Sequence, residues 1–221
     1  MNFADRLKTL PWILGALIVT SCFHEAGHAW AAWRLGDRRD YTRRRSRFWS
    51  PSHISIPFTL VAPSLLWLWA GIGLGGAVPV MVSTRAISPW KMTLVALAGP
   101  AGNIFCGVLS LLALATATHL NAVSRYDDVY HSAVGAVGLS FFLAGLNLLP
   151  IPPLDGSRVV AAFMPETLRN AYLRLGLPCA IILMVSFFVI GKYYPEKLSF
   201  LYEFYGVTIP RWTLGLSEFV R

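Results

Sequence analysis

Charge is what this sequence has least of. Only 14% of its 221 residues are Asp, Glu, Lys or Arg, against about 25% in soluble domains. Acidic residues number 11 and basic ones 19, for a formal net charge of +8. With 55% hydrophobic residues and a mean hydropathy of +0.55, the chain reads as a single integral membrane domain over 1–221 rather than a soluble one. Cysteine is scarce too. Cys22, Cys106 and Cys179 lie in apolar stretches at wide spacings and fit small buried hydrophobes better than a disulfide framework or a thiolate metal site. Internal repeats and low-complexity linkers are absent. No aromatic-interleaved basic groove or binding motif is found, so no nucleic-acid partner is expected.

The charge that is present is clustered. Seven arginines fall between Arg34 and Arg47, a pattern expected of a cytoplasmic loop in a membrane protein. A second role is open to them, since basic residues near the surface attract anionic headgroups by about 1 kcal/mol each. Around this loop the sequence predicts apolar segments over roughly 10–33, 54–82, 91–118, 131–153 and 177–194. That makes an all-α polytopic membrane protein with about four to five transmembrane helices. The first segment exceeds a signal-peptide h-region and carries ionisable residues, which argues against a cleaved leader. The tail from Pro195 is rich in aromatics and is expected at the membrane interface (195–221).

The second segment differs from the others. It contains Pro57, Pro63 and Pro79, and four glycines between Gly71 and Gly76. Such breaks fit a re-entrant or broken element, tolerated where protein or water covers the backbone. If it enters and leaves on one side, loops 34–52, 83–91 and 157–174, all basic, share the cytoplasmic face and loop 119–130 lies outside. The positive-inside rule favours that arrangement over a full span of Phe58–Leu74.

Between Leu10 and Trp33 the only charged or imidazole side chains are His24, Glu25 and His28, in the stretch CFHEAGHAW. On a helix, residues four apart share a face, so both imidazoles can hold one metal ion. Glu25, beside the first of them, can act as general base in hydrolysis. Ionisable groups inside a membrane segment are costly, which makes them functional suspects. A catalytic zinc usually takes three protein ligands. His53 lies at the entrance of the second segment, and His119 and His131 flank the outer loop. Most carboxylates lie in polar stretches or the tail. Asp155, in LLPIPPLDGSRVV, is the strongest candidate, because by the topology above it reaches the depth of His24 and His28 from the same face. A turn-forming aspartate before Gly156 is the alternative reading.

These residues carry a resemblance. HEAGH in a first membrane segment, GPAGN at 99–103 and NLLPIPPLDG at 147–156 resemble the site-2 protease family of intramembrane zinc metalloproteases, over roughly residues 10–165. The resemblance implies one zinc ion per chain, held by His24, His28 and Asp155, with Glu25 as catalytic base. Asn147 would position the substrate or stabilise the reacting carbonyl. The stretch GGAVPV (75–80) resembles the family's membrane-associated strand region, so Gly76, Val78, Pro79 and Val80 are expected to bind substrate by strand addition. His53 matches a histidine preceding that region in short members. No PDZ or cystathionine-synthase-like regulatory domain and no earlier spanning segment are seen, which suggests a minimal core.

The function expected on these grounds is cleavage of single-span membrane proteins within or near their transmembrane segment. The site would face the cytoplasm of a prokaryotic plasma membrane. Partners would be the substrate, the lipid bilayer and a regulatory membrane protein. Two other readings place His and Asp in a membrane: a metal transporter or sensor, and a scaffold that kept the fold without cutting. Glu25 speaks against the first, and the complete set of four residues against the second.

Overall fold

The computed structural model describes residues 3–71, 73, 75–83, 85–124 and 128–194. The expected interfacial tail lies outside the described residues. Among the described residues eight α-helices follow one another: α1 (Phe3–Leu35), α2 (Asp40–Arg45), α3 (Ala62–Ala70), α4 (Pro89–His119), α5 (Asp128–Asn147), α6 (Asp155–Ala161), α7 (Glu166–Arg174) and α8 (Gly176–Tyr193). Three stretches of the described residues are long and apolar enough to cross a membrane: α1, α4, and α7 with α8. The shorter apolar run Ala133–Asn147 of α5 packs beside α1 and α4. Helix α1 runs past its expected start, beginning before Asp5 and Arg6. The fourth segment instead stops early at Asn147, because the prolines at 150, 152 and 153 cannot continue a helix.

Helices α1 and α4 are antiparallel and touch along their backbones. A Cβ built on Gly27 would lie 2.3 Å from the Ala98 carbonyl oxygen, and one on Gly102 would lie 2.4 Å from that of Phe23. Small residues at such a crossing let two membrane helices approach where lipid gives no hydrophobic drive. Helix α5 completes the bundle. Leu17, Leu139, Phe142 and Leu143 bury together, and Thr20 Oγ1 lies 3.1 Å from Ser140 Oγ. At the other end of α1, Ala31, Ala32, Ile87 and Val95 form a second cluster.

The second segment climbs along α1 and returns. It starts beside His53, whose neighbour Arg45 reaches within 4.0 Å of Glu25. A π-helical turn (Ile56–Val61) leads into α3, which ends where Arg6 Nη1 donates to the carbonyls of Leu68 and Trp69 at 3.2 and 2.8 Å. Gly71 caps α3 at φ 71°, a conformation that favours glycine, and a Cβ there would also meet Arg6 Nη2 at 3.2 Å. The chain then comes back to Glu25, where Val80 N–H donates to the carboxylate at 2.9 Å. From Arg6 to Glu25 along a helix is about 28 Å. Gly71 and Val80, nine residues apart, therefore lie about 28 Å apart along α1. Both ends of the segment lie at the same end of α1, the geometry of a re-entrant hairpin.

No β-ladder occurs among the described residues. The stretch expected to be a short strand region, 75–80, has no partner strand among the described residues. The helical arm of its hairpin offers one carbonyl, Phe58, to Gly76 N at 3.0 Å, and His53 offers another to Val78 N at 3.0 Å.

Candidate active site

The site is built from α1, α4 and the start of α6. On α1, His24 and His28 sit one turn apart, with Nε2 atoms 3.0 Å from each other. Asp155 reaches them from the first turn of α6, its Oδ2 lying 3.1 Å from His24 Nε2 and 3.2 Å from His28 Nε2. Three local features deliver it there. The prolines end α5, Leu154 stays extended and lets α6 start at Asp155, and Gly156 packs against the turn at 148–149. A Cβ on Gly156 would lie 2.1 Å from the Leu148 carbonyl oxygen, so no larger residue fits that doubling-back.

The donor set fits a metal ion. His28 Nδ1 lies 2.7 Å from the Val95 carbonyl oxygen, which can only accept, so Nδ1 carries the proton and Nε2 is a free lone pair. Asp155 Oδ2 is buried without a hydrogen-bond partner. Electron-rich atoms thus converge, all within 4.8 Å of one another, and a cation relieves their repulsion. A tetrahedral zinc with bonds of about 2.0–2.1 Å sets its ligands roughly 3.3 Å apart, close to the observed edges of 3.0–3.2 Å. Helix α4 leaves room for this triangle. A Cβ on Gly99 would fall 2.3 Å from His28 Nε2 and 2.8 Å from His24 Cε1.

Two cavities of about 170 and 150 Å³ flank the triangle, and His24, Glu25 and Asn147 line both. Gly75, Gly76 and Ala77 border the first, and Pro79, Val80 and Val82 the second. Glu25 is buried, with the Val80 N–H on one oxygen and the Arg45 guanidinium 4.0 Å away. Asn147 donates its Nδ2 to the Leu143 carbonyl at 2.9 Å. The structure therefore brings His24, Glu25, His28, Asn147 and Asp155 together.

The other expected residues divide. His53 is fully buried, but not in the triangle. It lies between Arg45 Nη2 and the Arg47 carbonyl, 3.2 Å from each, and burial pushes its pKa below the usual imidazole value. Gly76, Val78 and Val80 direct their N–H groups to acceptors of this chain, and Pro79 has none. On that stretch only Ala77 has an unpartnered N–H on the opposite side.

Three buried polar residues carry no task in the sequence reading. Arg45 belongs to the arginine run that reads as loop charge, yet its side chain is 3% exposed and its Nη2 donates to the Val78 carbonyl. Asp37, assigned to a polar stretch, is fully buried. It accepts from Arg39 Nε and Nη2 at 2.7 and 2.6 Å and from Ser83 N at 3.0 Å, and the Arg39 fork holds its pKa down to about 2. Asn103, in the quoted GPAGN, lies with an amide nitrogen 3.1 Å from His24 Nδ1. The legible signal for it was spacing: Val95, Gly99 and Asn103 recur every four residues, as do His24 and His28.

Fold and site define a helical membrane protein with a buried His–His–Asp metal-binding group. Its relatives give that group a name. The chain is 38% identical over 163 residues to "Putative zinc metalloprotease Rip2" of Mycobacterium tuberculosis, covering 71% of this chain and 59% of the relative. It is 31% identical over 171 residues to "Putative zinc metalloprotease YwhC" of Bacillus subtilis, covering 74% of each. Rip2 of Mycolicibacterium smegmatis matches at 29% identity over 93% of this chain and 80% of the relative. The chain belongs to the site-2 protease family of zinc metalloproteases. It spans 59% of the length of the Mycobacterium tuberculosis relative. No family model matches the chain, and no solved structure does.

Proposed function

We propose that this chain is an intramembrane zinc metalloprotease that cuts single-span membrane proteins within or near their transmembrane segment. The observation that carries the proposal is the placement of Glu25. An ionisable carboxylate, buried one residue from a three-donor metal group, shares two cavities of about 170 and 150 Å³ with it inside an apolar helix bundle. Binding or transport of a metal needs the donors but not the base.

Zinc, when bound, supplies a Lewis acid that makes water nucleophilic near neutral pH and polarises a carbonyl. The chain does the rest. Glu25 takes the proton of the attacking water and passes it to the leaving amine. The Val80 N–H and the Arg45 cation hold that carboxylate in one rotamer. Asn147, on the wall of both cavities, contacts the substrate carbonyl and steadies the developing oxyanion. A substrate helix must first unwind, and its freed backbone then pairs with an edge. The side of 76–80 left for such pairing carries the Ala77 N–H and C=O and the Pro79 C=O. Pro79 blunts that edge against uncontrolled pairing. The arginine run lies at the same end of α1 as the site, which by the positive-inside rule turns the site toward the cytoplasm of a prokaryotic plasma membrane.

The test uses purified protein in detergent, with zinc content and cleavage of a model single-span substrate measured in parallel. Wild type is expected to hold about one zinc and cut, Glu25→Gln to keep zinc and lose cleavage by at least about 100-fold, and Asp155→Ala to lose both. Normal cleavage by Glu25→Gln would refute the proposal.

A further inference from the structure

We infer that Asn103 is a positioning residue for the metal centre, its side-chain oxygen fixing which nitrogen of His24 is free to bind. The inference rests on the metal-centre reading above and concerns a residue to which that reading gives no task.

His28 shows the pattern. Its Nδ1 faces a backbone carbonyl, so its proton sits there and Nε2 points bare into the triangle. His24 must present Nε2 to the same triangle, and therefore needs its own proton on Nδ1 and an acceptor to receive it. The only polar group facing His24 Nδ1 among the described residues is the Asn103 amide, with Nδ2 3.1 Å away. In that orientation the amide donates to Nδ1, which puts the histidine proton on Nε2, where a metal must bind. Meanwhile Asn103 Oδ1 is buried without any partner.

The tautomer conflict has a direct resolution. The two ends of an asparagine amide have the same shape, and only the hydrogen-bond network tells them apart. Turning the amide over lets Oδ1 accept from His24 Nδ1–H. It partners the orphaned oxygen and frees Nε2. The displaced Nδ2 takes the buried position that Oδ1 leaves, so the exchange is driven by the tautomer that the metal centre needs rather than by a gain in hydrogen bonds. Asn103 is 1% exposed, so the amide is held in a fixed pocket.

The placement is encoded by one stripe on α4. Val95, Gly99 and Asn103, four residues apart, face His28 and His24 on the antiparallel α1. A carbonyl orients the first imidazole, an amide oxygen orients the second, and the glycine between them leaves both rings space.

The experiment measures zinc affinity of metal-stripped protein by competition with a chromophoric chelator, alongside melting temperature. Asn103→Leu removes the acceptor, whereas Asn103→Asp keeps it. Asn103→Leu is expected to weaken zinc binding about 10–100-fold, the usual cost of losing such a partner, with Asn103→Asp recovering most of it. In a His24→Ala background Asn103→Leu should add less than about 2-fold, because the two side chains then act as one unit. Imidazole nitrogen spectra of isotope-labelled apoprotein should show His24 protonated at Nδ1 in wild type and mixed in Asn103→Leu. An Asn103→Leu protein that binds zinc as tightly as wild type overturns the inference and leaves the metal centre standing, as does an Asn103→Asp no better than Asn103→Leu. A wild-type protein that takes up no zinc overturns the metal-centre reading itself.

Discussion

Replacing Gly99 with alanine should damage the metal centre with one methyl group. The added Cβ would lie 2.3 Å from His28 Nε2, 2.4 Å from its Cε1 and 2.8 Å from His24 Cε1. Ordinary contact begins near 3.4 Å, so a gap of about 1.1 Å must open. If the His28 ring moves by that amount, its Nδ1 contact with Val95, now 2.7 Å, stretches to about 3.8 Å and is lost. That costs about 1–3 kcal/mol for a buried group left unmatched. If the helices part instead, the close approaches at Gly27 and Gly102 are given up, at a similar cost of about 1–3 kcal/mol. On either route an Nε2 ligand shifts by a third of the triangle's edge. Zinc affinity should fall at least about 10–100-fold, or roughly 1.4–2.7 kcal/mol. Gly15 supplies the control, since a Cβ there meets nothing within 4 Å. Gly15→Ala should bind zinc like wild type and unfold no more easily, alanine being the better helix former by about 0.5–1 kcal/mol. Zinc competition titration and thermal unfolding on both variants read the comparison. A Gly99→Ala protein indistinguishable from Gly15→Ala would refute the reasoning, and with it the close approach of α4 to the two imidazoles.

Three further outcomes follow from the surroundings of the site. Ala77→Pro removes the one unpartnered N–H on the outer edge of 76–80, so kcat/KM for a single-span substrate should fall about 5–10-fold while bound zinc stays constant. Arg45→Met leaves the Val78 carbonyl and His53 Nδ1 without a donor. Thermal unfolding should register a loss of about 2–3 kcal/mol, and Arg45→Lys should restore only part of it because an ammonium lacks the planar fork. The Asp37 carboxyl has its pKa held at about 2, below its ordinary 3.8, chiefly by the Arg39 fork. A lowered carboxylate pKa contributes stability above the unfolded value and loses it as pH falls. Between about pH 4 and about pH 2 wild type should therefore lose about 1–2 kcal/mol more than Asp37→Asn, the half-exposed Arg39 reducing the full amount.

What could be read from the sequence was whatever repeats along one element. Two imidazoles four residues apart declare a helix face, and an apolar run with prolines and glycines declares a broken segment. Asp155 was reachable because topology confined it to the depth of His24 and His28. What could not be read was contact between elements whose residue types are ambiguous. An arginine among seven gives no sign that it alone is buried against the carboxylate of another helix. Arg45 becomes identifiable only once the hairpin returns Val78 to it. Asn103 was quoted and given no task, because an asparagine in an apolar helix signals a partner without naming it. The partner is set by the α1–α4 crossing, and that crossing is set by glycines whose absent side chains leave no periodic hydrophobic signal. The edge at 76–80 shows the same limit from the other side. Which N–H groups of an extended segment are free depends on the acceptors behind it, here Phe58, His53 and Glu25. The stretch GGAVPV announces an edge, but the hairpin decides that the edge is Ala77.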